Sequence, residues 1–513
     1  MQVESVNKRY LFKFISTLSS MFSGILSHAF ISRAIGPAGL GNYNFLVGFF
    51  DQILAMLDFG IIRYVYNKVS QKQDAARWTD FYFRFMALVG LTVLLGVCGV
   101  WLLGVREMVW PGQQGVFILA AFFMSYILWS MQVVGQFADA HGLTVQTERL
   151  RWFQGIGSAG IFVLFYFMSA LNLTTYFLLN YAIFGLLVVG WVIIIRKNGI
   201  ILLQRSGVDL KKMALQFRET WDYVKPMVVY GLVGTLCALI DRWMLQYFGG
   251  SSQQGYFAFA YRIQQFCVLF VSAFVPIATR EFAIALGQND NRRIANIYAS
   301  SIPVFMAVSG YIAYFVVTQS DGLVRVLGGD QFDTSSVVAK VMMFQVIYYP
   351  ISLISTSVFM ATGRTVLYSR VGMLTMLLGV PVLYFMVAPG SSYGLGLGAA
   401  GLSIKNISVD IITTNTFLWW ICRTYNISFW SIFRLQIIFP LVFIPLAKSS
   451  ALLAGLFFAN STANFILSGM IYTLGVAVMI RVAPRGFGLP PDFMSRYITT
   501  PLGNYWASMR SAK

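Results

Sequence analysis

The chain has 513 residues, of which 58% are hydrophobic and only 11% are charged, and its mean hydropathy is +0.69. A soluble protein of this size carries roughly 25% charged residues, so the composition excludes most soluble enzymes and makes the lipid bilayer the solvent of this chain. The net charge of +18 could indicate a nucleic acid partner, but the Lys and Arg residues sit mostly at the ends of apolar stretches. Membrane orientation accounts for most of that charge, and we expect no nucleic acid partner.

Apolar stretches of about 20 residues recur along the whole chain, and this is the length of a helix that crosses a bilayer. They predict fourteen transmembrane helices, at 11–32, 43–63, 81–103, 114–137, 153–171, 174–195, 224–248, 256–281, 297–318, 337–360, 366–388, 397–421, 429–447 and 460–481. Of the Lys and Arg residues that flank these spans, 29 lie on the side of the two termini and four lie on the opposite side. The positive-inside rule therefore places both termini in the cytoplasm.

An internal repeat organises the chain. The first half reads ISRAIGPAGLGNYNF where its first helix ends, and the second half reads IDRWMLQYFGGSSQQGYFAF at the matching place. Gly41 then matches Gly255 with an offset of 214, and Arg63 matches Arg280 with an offset of 217. Each copy holds six helices, an even number, so both copies enter the membrane from the same side. In transporters, parallel repeats of this kind place the substrate site between the two halves.

The fold class that follows is an all-α polytopic membrane protein. It has about 14 transmembrane helices in two six-helix pseudo-symmetric bundles, with two extra C-terminal helices. The predicted domains are an N-terminal bundle at 1–195, a cytoplasmic linker at 196–223, a C-terminal bundle at 224–421, two additional helices at 422–482 and a basic cytoplasmic tail at 483–513.

Short motifs mark the ends of the spans: GPAGLGNY at 36–43, LDFG at 57–60, IDR with a later GY at 240–256, Pro276, ATGR at 361–364 and YGLGLGAAG at 393–401. In this order, over about residues 10–420, they resemble the polysaccharide transport family. These are the Wzx-type O-antigen and exopolysaccharide flippases of the multidrug/oligosaccharidyl-lipid/polysaccharide (MOP) superfamily, which have a MATE-like fold.

The resemblance implies alternating-access export of an undecaprenyl-pyrophosphate-linked oligosaccharide, an O-antigen or exopolysaccharide unit, from the cytoplasmic to the outer leaflet. It implies a multi-pass protein of the bacterial cytoplasmic (inner) membrane and no enzymatic activity. The expected partners are the lipid-linked glycan, the lipid bilayer and, further, a glycan polymerase with its chain-length machinery.

Four cations fall within predicted spans of the second half: Arg242, Arg262, Lys340 and Lys405. A charge in hydrocarbon is unfavourable by about 2.5–3.5 kcal/mol on insertion scales, so such residues usually face a water-filled cavity or a partner. Arg binds phosphate oxygens through two parallel hydrogen bonds, whereas Lys acts as a mobile point charge. One interpretation is therefore a cationic cavity that holds the pyrophosphate or acidic sugars of the substrate.

The alternative interpretation is that these cations form structural ion pairs. Asp241 would neutralise Arg242 or Arg262, and Asp410 would neutralise Lys405. Both interpretations stay open for Arg262 and Lys405. Arg242 favours the structural one, because it follows an Asp within the IDR motif.

The candidate ion-coupling residues are carboxylates within the spans, namely Asp51, Asp58 and Asp410. Asn44, Asp51 and Asp58 recur every seven residues and share one helix face. Asp51, close to mid-span, could bind the proton or sodium ion that drives export. The alternative is an Asp that hydrogen-bonds to the serines of the first helix or pairs with an Arg of the other half. No Cys or His spacing predicts a metal site, so we expect no cofactor beyond a proton or sodium gradient.

Two rival functions remain. A cation-coupled multidrug antiporter of the MATE type would normally have twelve helices and an acidic residue in its first helix, which here carries serines instead. A membrane-bound polysaccharide polymerase typically has long external loops with Arg and His, whereas the longest external loop predicted here, at 319–336, has one Arg and no His. These features favour the flippase.

Overall fold

The structure is a computed structural model that describes residues 6–72, 74–203, 210–457 and 461–490. Within these ranges the regular elements are helices, which confirms the all-α fold class. The chain divides into two compact units. Unit 1 takes in the chain up to Phe259 together with Val326–Phe332 and Val380–Leu402, and unit 2 takes in Ala260–Arg325, Asp333–Gly379 and the chain from Ser403. The domain boundaries expected from the sequence stay a prediction.

Unit 1 begins with seven helices and the first part of an eighth. They are α1 (Val6–Asp58), α2 (Ile61–Ser70), α3 (Ala75–Leu102), α4 (Arg106–Val109), α5 (Gly115–Ala140), α6 (Thr144–Phe167), α7 (Leu173–Lys197) and α8 (Leu210–Gly287), which passes into unit 2 at Ala260. The apolar core of this unit is built largely of aromatic rings from α1, α3 and α5, among them Phe50, Tyr82 and Phe137.

Unit 2 holds most of the remaining helices. They are α9 (Asn291–Gly328), α10 (Asp333–Gln345), α11 (Tyr349–Ala361), α12 (Thr365–Val387), α13 (Gly398–Thr424), α14 (Phe429–Phe433), α15 (Leu435–Phe457) and α16 (Ser461–Val482), with the ends of α9 and α12 and the start of α13 assigned to unit 1. The two helices predicted as additions, α15 and α16, share one core with α9 and α11. After α16 the chain returns Phe487 to this core, where its ring packs on Phe439 and Phe443.

Two of the helices are each interrupted at a glycine. Gly36 in α1 has φ 68° and ψ 177°, and Gly250 in α8 has φ 72° and ψ −176°. This region of backbone space is open essentially to glycine alone. Pro37 then suits the first turn of the next helix, where its missing N–H needs no partner. The two breaks are 214 positions apart, which is the offset that relates Gly41 to Gly255 in the sequence.

By length and composition, ten helices of the described chain can cross a membrane, or eleven if a pair bent by 62° is one span. The chain is therefore a multi-pass membrane protein. Every predicted span overlaps at least one helix of the described chain, and the smaller number has two causes. The candidates Ser19–Asp58 and Val228–Val268 each hold two predicted spans joined at a glycine break. α13 carries a Lys, an Asp and several amides and hydroxyls, which lower its hydropathy.

The predicted cytoplasmic linker, 196–223, is helical from Leu210. The first turns of α8 pack on the aromatic core of unit 1, where the ring of Phe217 lies 6.2 Å from that of Phe85. Trp221 lies 5.7 Å from Phe59, edge to face. Phe217 and Trp221 are four residues apart and so share one face of the helix. The segment behaves as an amphipathic helix that covers unit 1.

Candidate functional site

A chain of polar side chains crosses the interior of unit 2. Gln264 of α8 donates from Nε2 to Gln345 Oε1 at 2.8 Å and to the Met342 carbonyl at 3.0 Å. Gln345 then donates from its own Nε2 to Asp410 Oδ2 on α13. Because Gln264 occupies the oxygen of the Gln345 amide, the NH2 group of that amide is directed to the carboxylate. The three residues therefore have a defined order of donors and acceptors.

The sequence explains why Gln345 ends its helix here. Pro350 has no N–H and its ring clashes with the carbonyl four residues before it, which favours a break in the α-helix. The chain instead makes a 3-10 turn at Val346–Tyr348 between α10 and α11. Gln345 lies 12 residues into α10 and Asp410 lies 12 residues into α13. At 1.5 Å per residue, both are roughly 18 Å along their helices, near the middle of a bilayer core of about 30 Å.

Lys405 is a buried cation close to this chain, with a relative exposure of 5%. It belongs to α13 and attracts Asp410 electrostatically. Gly379 of α12 makes room for its stem, because a Cβ at Gly379 would lie 2.7 Å from Lys405 Cε. The predicted pairing of Lys405 with Asp410 is thus present as an electrostatic attraction, while Asp410 takes a hydrogen bond from Gln345.

Arg262 also belongs to unit 2, and it is exposed. It lies 12 residues after the break at Gly250, which puts it roughly 18 Å along this part of α8. Its depth matches that of Gln345 and Asp410, and it precedes Gln264 by two residues. Unit 2 therefore presents an accessible cation at the same depth as its polar chain.

Lys340 is placed differently from these two cations. Its Nζ lies 2.8 Å from both carboxylate oxygens of Asp321, which also accepts a hydrogen bond from Ser336. The sequence placed Asp321 in an external loop at 319–336, but α9 continues to Gly328 and brings it opposite Lys340. Both side chains are well exposed, as in a surface ion pair. This contact favours a structural role over the predicted substrate binding.

Arg242 lies in unit 1, so the four cations do not all share one unit. Its Nη1 donates to Gln254 Oε1 at 3.4 Å, and its guanidinium lies 4.4 Å from the ring centre of Phe257. Gln254 in turn donates to the Arg242 carbonyl. These contacts join the helical segments on either side of the Gly250 break, and they favour a structural role for Arg242.

The two candidate ion-coupling carboxylates of unit 1 have contrasting surroundings. Asp51 is exposed, lies next to Ser125 and is 15 residues after the Gly36 break, roughly 22 Å along its helix. Asp58 is only 6% exposed and accepts a hydrogen bond from the Tyr82 hydroxyl. The backbone N–H groups of the bend between α1 and α2 also donate to Asp58. Asp58 thus holds the bend, whereas Asp51 is exposed and pairs with Ser125.

Several solved structures of membrane transporters share this architecture. The lipid II flippase MurJ, in an inward closed conformation, matches with a TM-score of 0.66 at 11% identity and covers 93% of this chain and 100% of its own. An inward-facing multidrug resistance MATE family transporter of the MOP superfamily matches with a TM-score of 0.58 at 12% identity, over 79% of this chain and 94% of its own. This chain shares their fold. No protein-family model and no curated protein matches the sequence.

A third match is a MOP superfamily transporter from Pyrococcus furiosus, described as having a binding pocket of reverse polarity. Its TM-score is 0.51 at 11% identity, over 82% of this chain and 95% of its own. At such identities the likeness concerns the fold and not the residues of the site.

Gln264 is the site residue that sequence reasoning missed. The signal was present, since an amide side chain within an apolar span needs a hydrogen-bond partner. An uncharged Gln between Arg262 and Cys267 stands out less in the sequence than the charged residues within the spans. Gln264 is the first donor of the polar chain, through its hydrogen bonds to the Met342 carbonyl and to Gln345.

Proposed function

We propose that this chain is a flippase that exports a lipid-linked oligosaccharide with an anionic headgroup by alternating access. Its substrate would be an undecaprenyl-pyrophosphate-linked unit of O-antigen or exopolysaccharide, as for the Wzx-type proteins that its motifs resemble. The observation that carries the proposal is the buried Lys405 in unit 2, which precedes Asp410 of the polar chain by five residues and lies in the same unit as the exposed Arg262. The shared fold with transporters, including the flippase MurJ, supports it.

The electrostatic argument concerns the headgroup. A pyrophosphate that leaves water needs countercharge, and a cation in a region of low dielectric attracts it far more strongly than the same cation in water. Arg262 would supply the accessible charge and Lys405 the buried one. Asp410 attracts Lys405 as well, which keeps the affinity for an anion moderate and allows release.

Substitution of the two cations tests the proposal. In a flippase-deleted strain that carries this chain, Arg262→Ala and Lys405→Ala should abolish export while membrane abundance stays at the parent level. Arg262→Lys should retain part of the export if charge matters more than the shape of the guanidinium. Lys340→Ala is the matched control, because its ion pair with Asp321 is exposed and worth about 1 kcal/mol or less. Normal export by both Arg262→Ala and Lys405→Ala, or loss of export that only follows loss of protein, would contradict the proposal.

The cellular setting forms part of the same proposal. The protein would lie in the bacterial inner membrane with both termini in the cytoplasm, driven by a proton or sodium gradient, and would supply a glycan polymerase and its chain-length machinery. Reporter fusions at residue 513 and thiol labelling of Ser391→Cys test the orientation. Ser391 should be labelled from outside the cell, and a fusion at residue 513 should be active in the cytoplasm.

Asp51 favours a second candidate, a cation-coupled multidrug antiporter. An exposed carboxylate within a long apolar helix of unit 1 is what a protein needs to exchange a cation for a cationic drug. Three results together would favour the antiporter over the flippase. The chain would protect a drug-sensitive strain against cationic drugs, Asp51→Asn would abolish that protection, and no glycan would be exported.

A further inference from the structure

Four polar side chains of unit 1 form one hydrogen-bonded cluster, which we name the outer latch: Asn42, Gln113, Gln246 and Ser251. The Ser251 hydroxyl donates to Asn42 Oδ1. Gln113 Nε2 donates to Asn42 Oδ1 at 2.9 Å and to Ser251 Oγ at 3.3 Å. Gln246 Nε2 donates to Ser251 Oγ and to the Pro111 carbonyl, each at 3.1 Å. The side chains of Gln113 and Gln246 are each only 3% exposed, so the donors of the cluster are buried.

The backbones also meet at this place. A Cβ at Gly41 would overlap the Ser251 carbonyl and lie 2.8 Å from Gly255 N. A Cβ at Gly255 would overlap the Pro37 carbonyl, 2.7 Å from its carbon. The helix that follows the Gly36 break is therefore in direct backbone contact with the helix that follows the Gly250 break. Asn42 belongs to the first copy of the repeat and Ser251 to the second, so the latch joins the two copies.

Neighbouring loops are held to the same end of unit 1 by two further amides. Gln331 Nε2 donates to the carbonyls of Ser32 and Arg33, at 3.3 and 2.9 Å. Gln253 Oε1 accepts from the Ala399 N–H at 2.8 Å. By the predicted topology all these segments lie on the outer side. Arg33 Nη2 also donates to the Val326 carbonyl here, at 2.6 Å. Apart from this guanidinium, the side chains that hold these segments together are uncharged amides and a hydroxyl.

This chemistry suits a contact that opens and closes. Each hydrogen bond to a neutral group is worth about 0.5–1.5 kcal/mol net, because water replaces the lost partner when the contact opens. An apolar seal would lose about 25 cal/mol for every Å² that it exposes to water, with no such replacement. We propose that the outer latch is the reversible closure of the exit side, which breaks when substrate is released. The inference rests on the proposed export function, because a closure is needed only in a protein that alternates.

Thiol accessibility on intact cells tests the latch without reference to any substrate. With the four native cysteines replaced, Leu40→Cys places a reporter beside Gly41, at a side chain that is 2% exposed. Gln113→Ala together with Gln246→Ala removes the two glutamine donors of the latch and leaves the hydrogen bond from Ser251 to Asn42. Labelling of the reporter by a membrane-impermeant maleimide should then become at least about fivefold faster, as expected for the loss of two or more hydrogen bonds.

Two matched controls separate opening from general loosening. Thr473→Ala removes a side-chain hydrogen bond of unit 2, at 2.7 Å from Tyr311, and should leave the labelling rate unchanged. A thiol at Ile351, which is fully buried in the core of unit 2, should stay unlabelled in the latch variant. If the Leu40→Cys rate is unchanged, or if Ile351→Cys is also labelled faster, the latch proposal is overturned.

A crosslink supplies the opposite perturbation. Oxidation of the double variant Asn42→Cys/Ser251→Cys should join the two copies and reduce glycan export at least about tenfold, and a reductant should restore the export of the same cells. Export by fully crosslinked protein would overturn the latch. If the parent exports no glycan but the labelling rates change as expected, the proposed substrate is wrong and the latch stands.

Discussion

Gly41 and Gly255 occupy the same place in the two copies of the repeat, and each packs against the backbone of the other copy. A side chain at either one would overlap a carbonyl group, that of Ser251 or that of Pro37. The glycines that break the two helices, Gly36 and Gly250, precede this pair by five residues and share one backbone conformation. The offset of 214 in the sequence therefore relates two helical turns, one after each glycine break, whose backbones are in direct contact.

The close approach predicts a large effect of Gly41→Ala on stability. The methyl group would meet a backbone carbonyl, which cannot move aside as the end of a flexible side chain can. We expect a loss of about 3 kcal/mol, at the upper end of the range for overpacked sites, measured by thermal unfolding of the purified protein in detergent. Gly48→Ala is the control in the same helix, because a Cβ there has no atom within 4 Å. Equal melting temperatures for Gly41→Ala and the parent would contradict the close contact.

Gly250 is predicted to act through backbone strain alone. A Cβ at this position has no atom within 4 Å, but φ is 72° and ψ is −176°. Gly250→Ala should lower the free energy of unfolding by about 1–3 kcal/mol, the cost of holding a side chain in this region. Gly231→Ala, in the same helix with a helical backbone and open space, should be neutral or stabilising by up to about 1 kcal/mol. Similar effects of both substitutions would refute the conformational explanation.

Tyr82 is predicted to stabilise the bend between α1 and α2 through Asp58. Tyr82→Phe removes a buried donor to a carboxylate that is itself 6% exposed. The free energy of unfolding should fall by about 1–3 kcal/mol, because the carboxylate loses a partner that water cannot replace. Tyr126→Phe serves as the control, since the Tyr126 hydroxyl reaches the Met86 carbonyl only at 3.4 Å. If both variants unfold at the same temperature as the parent, the role given to Asp58 is wrong.

The fold could be predicted well because its two main signals, apolar runs and recurring glycines, can be seen along the sequence without knowing which residues meet in space. Apolar runs report which segments lie in the bilayer, and recurring glycines report where the backbone must take a conformation closed to other residues. Hydrogen-bond partners on different helices could not be predicted in this way. Spacing along α13 places Asp410 on a face but does not say that Gln345 meets it there. Asp321 was assigned to a loop because it follows the predicted end of an apolar span at residue 318, whereas α9 continues to Gly328.

The polar chain of unit 2 is expected to behave as one energetic unit. Gln345→Leu removes the partner of both Gln264 and Asp410, so it should be the more destabilising of the two Gln→Leu changes. Gln264→Leu leaves the hydrogen bond between Gln345 and Asp410 in place. The double variant should then be less destabilised than the sum of the single changes, because after Gln345→Leu the remaining Gln264 has already lost its side-chain partner.

A double-mutant cycle on Gln264 and Gln345 measures this coupling. Interhelical hydrogen bonds in membranes average about 0.6 kcal/mol and reach about 1.7 kcal/mol, since the unfolded chain in the bilayer also finds partners. The two oriented amides and the carboxylate favour a coupling toward the upper end, at about 1.5 kcal/mol. Gln345→Leu combined with Thr473→Ala, a site in a different hydrogen bond of unit 2, should add within about 0.5 kcal/mol. Additive effects of Gln264→Leu and Gln345→Leu would show that the two amides act independently and that Asp410 is held by Gln345 alone.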